Sequence, residues 1–281
     1  MQTAARPVEL SHDHPGFADP VYRQRRDAIS AISASYEPGG PIPIVDYSET
    51  EDDVWRKVSR ELAVEHELYA CREYRDAAAR LALPTDHVPQ VADVDARIRR
   101  LSNFALAPVP GLVPTRTFYG SLATRRFLST QYVRHHSMPL YTPEPDIIHE
   151  VLGHANFLAS PTMADVYEAA GAASLRATSD ASLDFFSRFF WFTIEFGVLW
   201  EDGELRTYGS GILSSYGELA HFREAEIRPW DLVAMGTQQY DITVYQPILF
   251  AAQSFAHAVD ELLAFFSNYD DDAHARLTAS R

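Results

Sequence analysis

The sequence predicts a mainly α-helical protein with a few short β-strands. Three observations carry that prediction. Apolar residues recur at helical spacing, as over residues 53–83, where Val54, Val58, Leu62, Leu68 and Tyr69 mark one stripe. Helix-start signals recur too: Asp19-Pro20 places Asp at an N-cap and Pro at N1, and Pro145 immediately precedes Asp146-Ile147-Ile148-His149. Residues 204–213 and 240–245 alone are β-branched or aromatic enough to read as short strands.

The elements follow in order. Residues 1–12 are polar and read as a flexible N-terminus. The helix opened by Asp19 carries Val21, Ile29 and Ile32 among arginines, and the run EPGGPIP (37–43) breaks the chain after it. The helix over 53–83 is closed by Pro84, and another covers 91–101. Residues 106–114 hold three prolines and one glycine and read as a loop. Helices are predicted over 118–128, from Asp146, over 163–176 and over 183–200. A final amphipathic helix covers 251–267, and residues 269–281 form a polar tail. No polar linker divides residues 13–268, which read as a single domain.

Composition narrows the function. The chain has 281 residues, 46% hydrophobic and 22% charged, as in ordinary globular proteins. Its formal net charge of −15 argues against nucleic acid and anionic membrane surfaces, which are held by clustered Lys and Arg. The single Cys71 excludes an internal disulfide and any metal site built from several cysteines, and reads as packing. The N-terminus lacks an apolar signal region, and stretches such as Phe189-Phe190-Trp191-Phe192 are too short to span a membrane. A cytoplasmic location is expected.

The chemistry concentrates in HEVLGH (149–154). His149 and His154 stand at i, i+5, which a continuous α-helix turns about 140° apart. They converge only if the helix bends or ends between them, and Gly153 sits where it can allow that. Spacing alone leaves two readings open: a pair of metal ligands, or two unrelated histidines. Glu195 lies in the largely apolar run LDFFSRFFWFTIEFGVLW (183–200). A carboxylate buried there is costly unless it pairs with an arginine or binds a metal. Two His and one carboxylate without Cys form the facial set of non-haem Fe(II) oxygenases. Arg134, in QYVRHH (131–136), is either a clamp for a substrate carboxylate or a structural partner for Asp146 or Glu218. His12, His14, His66, His87, His221, His257 and His274 have no ligand-like spacing.

These motifs occur together in one family. DHPGFADPVYRQRR (13–26), CREY (71–74), TQYVRH (130–135), YTPEPDIIHEVLGH (141–154), FWFTIEFG (190–197) and GILSSYGEL (211–219) run nearly end to end. The chain resembles the pterin-dependent aromatic amino acid hydroxylases, most closely the bacterial phenylalanine hydroxylases. The resemblance implies that family's catalytic-domain fold, mainly helical around a non-haem iron. It places His149, His154 and Glu195 on the iron ligands. It places Arg134 on the residue that holds the substrate carboxylate, with Asp146 supporting it. Thr142, Pro145, Trp191, Phe196, Gly211, Ser214 and Ser215 fall on the substrate pocket, with Ser214 also orienting His149. Gly111, Val113, Thr115, Phe118, Tyr119, Glu150 and Phe190 fall on the pterin site, with Phe118 stacking on the cofactor ring.

The implied reaction converts L-phenylalanine to L-tyrosine with O2, using Fe(II) and tetrahydrobiopterin or a related tetrahydropterin. Trp191 matches the phenylalanine and tyrosine enzymes, and the apolar Ile242 suits an unsubstituted ring. Phenylalanine 3-hydroxylation and tryptophan hydroxylation are the alternatives within the family. Departures from the family pattern bear on that choice: Ala155-Asn156 replace the usual Val-Pro, His136 replaces a Gly, and Phe190 often is Tyr. The resemblance begins at Asp13, so a catalytic core alone, monomeric, is expected. A zinc metallohydrolase built on the same histidines is the reading from another class, and the i, i+5 spacing counts against it. A non-catalytic binding protein on this scaffold is the last, and the intact ligand set counts against that.

Overall fold

Asp19 opens the first helix as its sequence predicts. Its carboxylate accepts from the backbone N–H groups of Val21 and Tyr22, and Pro20 takes the first helical position. The structure, a computed structural model, describes residues 10, 12, 14–140, 142, 144–242 and 244–279. Nearly all of the expected flexible N-terminus, together with Asp13, Tyr141 and Pro143, lies outside the described residues.

Helices dominate, as the sequence predicts. They are α1 (Pro20–Ala34), α2 (Glu49–Tyr69), α3 (Arg72–Leu81), α4 (Val91–Ser102), α5 (Thr115–Leu122), α6 (Asn156–Leu158), α7 (Pro161–Arg176), α8 (Asp180–Phe190), α9 (Ser210–Leu213), α10 (Tyr216–His221), α11 (Leu232–Thr237), α12 (Phe255–Asn268) and α13 (Asp271–Thr278). Two π-helices, His149–Ala155 and Trp191–Glu195, interrupt the series. The strands are β1 (Ala105–Pro108), β2 (Arg126–Ser129), β3 (Val198–Glu201), β4 (Glu204–Thr207), β5 (Glu226–Pro229) and β6 (Ile248–Ala252). β1 and β2 pair in parallel. The other four form a mixed sheet in the order β4-β3-β6-β5, antiparallel at β3-β4 and parallel elsewhere.

Several expectations are corrected. The helix expected over 53–83 is two helices. Ala70 turns extended, and the Cys71 N–H donates to the Thr207 carbonyl on β4 at 2.9 Å. Leu68, expected on the buried stripe, is consequently half exposed. The helix expected over 118–128 stops at Leu122, and Arg125 turns the chain with φ 51° into β2. Its partner β1 occupies the start of the loop expected over 106–114. The helix expected over 183–200 ends as α8, a π-helix and then β3. The strand expected over 204–213 stops at Thr207 and gives way to α9. Among the described residues of 240–245 there is no strand. The expected final helix begins only at Phe255, because 248–252 form β6, one of the sheet's two inner strands. The polar tail holds α13, whose Asp271 accepts from Thr178, Ser179 and Ser182.

The core is aromatic. Phe185, Phe186 and Phe189 of α8 meet Phe265, Phe266 and Tyr269 at the end of α12, with Phe189 and Phe265 ring centres 4.0 Å apart. Each such ring contributes roughly 1.5–3 kcal/mol by burial. α7 runs between α5 and α12, and Gly171 permits its approach, since a Cβ there would lie 2.0 Å from Ala123 N. Both π-helices pack against α9.

Candidate metal centre and active site

The i, i+5 spacing of His149 and His154 is resolved by the backbone itself. Residues 149–155 form a π-helix, whose i→i+5 hydrogen bonds widen the turn and bring i and i+5 onto neighbouring parts of one face. The helix neither bends nor ends at Gly153, as the spacing alone had required. Gly153 instead admits α9: a Cβ there would lie 2.7 Å from the Ser210 carbonyl. Glu195 closes the second π-helix, where the Phe196 N–H reaches back five residues to the Trp191 carbonyl at 2.8 Å. The Thr193 hydroxyl bonds back to the Phe189 carbonyl at 2.7 Å, a contact that bends helices.

Three side chains converge. His149 Nε2 and His154 Nε2 are 3.0 Å apart, and Glu195 lies 3.3 Å from His154 Nε2 and 3.9 Å from His149 Nε2. Nitrogen ligands about 2.1 Å from a shared ion, near right angles, stand about 3 Å apart. The outer nitrogens are engaged: His149 Nδ1 with Ser214 Oγ at 2.8 Å, and His154 Nδ1 with Tyr167 Oη at 2.8 Å. Both Nε2 atoms therefore face inward, and inward lone pairs beside a carboxylate fit a cation held between them. Burial pushes the His149 imidazole down to about 4, keeping it a neutral donor. Burial alone would raise the Glu195 carboxyl, but the His154 and His149 imidazoles outweigh it and hold it below the ordinary value. Glu150 also offers an oxygen within 4.8 Å of the imidazoles. Glu195 is nearer, and burial raises Glu150 well above the ordinary range, so Glu150 is the poorer ligand.

The three residues line a cavity of about 980 Å³, within the usual range for a small-ligand site. Eighteen of the nineteen residues singled out from the sequence line it. Asp146 does not, because it stands behind Arg134. Of the two readings of Arg134, the structural partnership with Asp146 is present: its Nε and Nη2 grip the fully buried Asp146 carboxylate at 3.0 and 2.8 Å, and the same side chain borders the cavity. Asp146 also accepts the His149 N–H at 3.1 Å, tying the arginine to the start of the π-helix. Trp191 is sandwiched between Phe196 and Tyr240, with ring centres 4.3 and 4.2 Å away. On the other side Phe118 packs edge-on against Tyr119 and Phe127.

Sequence reasoning missed Tyr167, Tyr240 and the cavity-facing Glu144; it offered Glu218 as a partner for Arg134, whose carboxylate partner is Asp146 instead. Burial raises the Glu144 and Glu218 carboxyls to about 7. Tyr167 stands 13 positions beyond His154 and carried no local signal, while Tyr240 was assigned to a strand.

A cavity wall bearing two imidazoles and one carboxylate, with its remaining face open, defines a mononuclear non-haem metal enzyme. Comparison with known proteins narrows the class. The profile of the family described as biopterin-dependent aromatic amino acid hydroxylase matches residues 2–277. Phenylalanine 3-hydroxylase of Streptomyces coeruleorubidus is 45% identical over 264 residues, covering 94% of this chain and 95% of its own. Tyrosine 3-monooxygenase of Mus musculus is 43% identical over 265 residues, covering 92% of this chain and 53% of its own. Among solved structures, Chromobacterium violaceum phenylalanine hydroxylase with bound oxidised Fe(III) matches with a TM-score of 0.77 at 28% identity, over 83% of this chain and 84% of that one. The same enzyme with iron(III) and oxidised 7,8-dihydrobiopterin matches with a TM-score of 0.73 at 28% identity, over 80% and 85%. The chain belongs to the biopterin-dependent aromatic amino acid hydroxylase family.

Proposed function

We propose that the protein hydroxylates the ring of L-phenylalanine and does so at the meta carbon, giving 3-hydroxyphenylalanine. The observation that carries the ring position is the 45% identity to a phenylalanine 3-hydroxylase, over nearly the whole of both chains. Asn156, where the family pattern has Pro, lies just beyond the π-helix and is the first residue to examine for it. Hydroxylation at the para carbon, giving L-tyrosine, is the second reading, favoured by the fold's likeness to phenylalanine hydroxylases.

In this reading His149, His154 and Glu195 hold Fe(II), and the donor set fits that ion. Bound iron and tetrahydrobiopterin, or a related tetrahydropterin, supply the activation of O2. The chain's own part is positional. Arg134 receives the substrate carboxylate, and Asp146 keeps the guanidinium in plane. Phe196 and the edge of Trp191, whose two faces are covered by Phe196 and Tyr240, border the space for the substrate ring. Thr142, Pro145, Gly211, Ser214 and Ser215 shape the same end of the cavity. Phe118 stacks on the pterin ring, beside Gly111, Val113, Thr115, Tyr119, Glu150 and Phe190. The buried walls exclude water from the reacting face. The protein acts as a cytoplasmic monomer, for which sedimentation giving 31.6 kDa is the check.

The test is a product assay. Protein loaded anaerobically with Fe(II) is given tetrahydrobiopterin, O2 and phenylalanine, and the isomers are separated by chromatography with mass detection. Meta-tyrosine, dependent on both iron and pterin, is the expected product. Para-tyrosine alone would select the second reading, and turnover of tryptophan only would reject both.

A further inference from the structure

The π-helix that presents the two histidines takes the α-helical donor away from the Leu152 carbonyl. In an α-helix the Leu152 carbonyl would accept from the Asn156 N–H, four residues on. Here that N–H donates one residue further back, to Val151. Two side chains meet the Leu152 carbonyl instead. The Tyr74 hydroxyl donates to it at 2.6 Å, and Asn156 Nδ2 donates to it at 3.2 Å. Asn156 Nδ2 also donates to Tyr74 Oη at 3.1 Å, closing a triangle. Tyr74, Asn156 and Leu152 are all buried, so no solvent substitutes for these donors. The Asn156 amide leaves its own Oδ1 buried without a partner. Its orientation is thus set by the two donations, since a flipped amide would lose both.

Removing the donors leaves a buried carbonyl whose nearest remedy is the α-helical bond from the Asn156 N–H. That register sets His149 and His154 about 140° apart and dissolves the site. We propose that Tyr74 and Asn156 are positioning residues for the metal centre: their donation to the Leu152 carbonyl holds the π turn, and with it the convergence of His149 and His154. The inference rests on the reading that these imidazoles carry the metal. It also explains how this chain keeps the turn with asparagine at position 156. A proline there would displace the carbonyl four residues back by steric clash. Asn156 lets it go by hydrogen bonding.

The test uses the full-length metal-free protein and Co(II) as the probe, read by calorimetry and by its visible absorption. Amide hydrogen exchange over residues 153–156 is measured without metal. Asn156→Leu and Tyr74→Phe are expected to weaken Co(II) binding about tenfold or more, as loss of groups that orient ligands does, and to speed that exchange. Unchanged affinity and exchange in Asn156→Leu and Tyr74→Phe would overturn the proposal. If Asn156→Leu does not fold, Tyr74→Phe, which loses one hydroxyl, decides. A wild-type protein blind to Co(II) would reject the metal reading itself, and the exchange rates would still decide whether the pair holds the turn.

Discussion

Arg134 commits Nε and Nη2 to Asp146, while Nη1 has only a 3.4 Å contact to the Pro139 carbonyl. In the proposed reaction Nη1 is the atom left to meet the substrate carboxylate. Arg134→Ala should therefore raise KM for the amino acid by two to three orders of magnitude while leaving KM for tetrahydropterin nearly unchanged, the loss of about 3–4 kcal/mol expected of a desolvated charge pair. Equal effects on both KM values would make Arg134 purely structural. The same change strands the buried Asp146, so stability should fall by about 3–5 kcal/mol. Lysine should not restore function, because it lacks the fork that spans both partners. Glu218 gives a second test at this scale. Burial raises its carboxyl to about 7, so the folded protein holds that proton more tightly than the unfolded chain. Stability then falls as pH rises from the ordinary carboxylate range through about 7, by up to about 3 kcal/mol. Glu218→Gln, which cannot ionise, should melt higher than wild type at pH 8, and the gap should close toward pH 5. A gap independent of pH would show that its charge carries no penalty. Glu195 stood out in the sequence as a carboxylate in an apolar run, His149 and His154 by their close spacing, and Arg134 by its place in QYVRHH. The burial of Glu218 was not legible, since only the folded cavity creates it.

At the scale of elements, the sequence signals helices but not the conformation that makes the site. Apolar periodicity is blind to a shift from i→i+4 to i→i+5 bonding within a fully buried segment, so 149–155 reads as a helix with misplaced histidines. The same blindness hid the second π-helix inside the apolar run 183–200. Gly153 is where these local choices meet the packing. A methyl group there would stand 2.7 Å from the Ser210 carbonyl and 3.3 Å from Ser214 Cβ. Backbone cannot yield as a flexible side chain does, so α9 must shift and carry Ser214 off His149 Nδ1. Gly153→Ala should accordingly lower stability by about 1–3 kcal/mol and weaken metal binding about tenfold. Thermal melting and Co(II) calorimetry together check this. Lost stability with unaltered metal affinity would uncouple α9 from the histidine.

At the scale of the whole molecule, the helical class was legible because it needs only local pattern. The sheet was not, because its pairings join distant stretches: β3 pairs with β6, and Thr207 breaks a helix at Ala70. The metal centre has the same long-range character. His149 and His154 come from one π-helix, Glu195 from another, and the hydroxyl that orients His149 from the end of α9. An unfolded chain holds no such arrangement, so metal binding adds directly to folding stability. With free Fe(II) at a hundredfold its Kd, the gain is about 2.7 kcal/mol. For a chain of this length that corresponds to a rise in Tm of roughly 5–10 °C. Anaerobic melting of the metal-free protein with and without Fe(II) should show that rise. Glu195→Ala should melt as a folded protein and respond little to Fe(II), since two imidazoles alone hold the ion weakly. An undiminished shift in Glu195→Ala would remove the carboxylate from the ligand set and return Glu150 to consideration. No shift in either protein would mean that the three side chains converge without serving a metal.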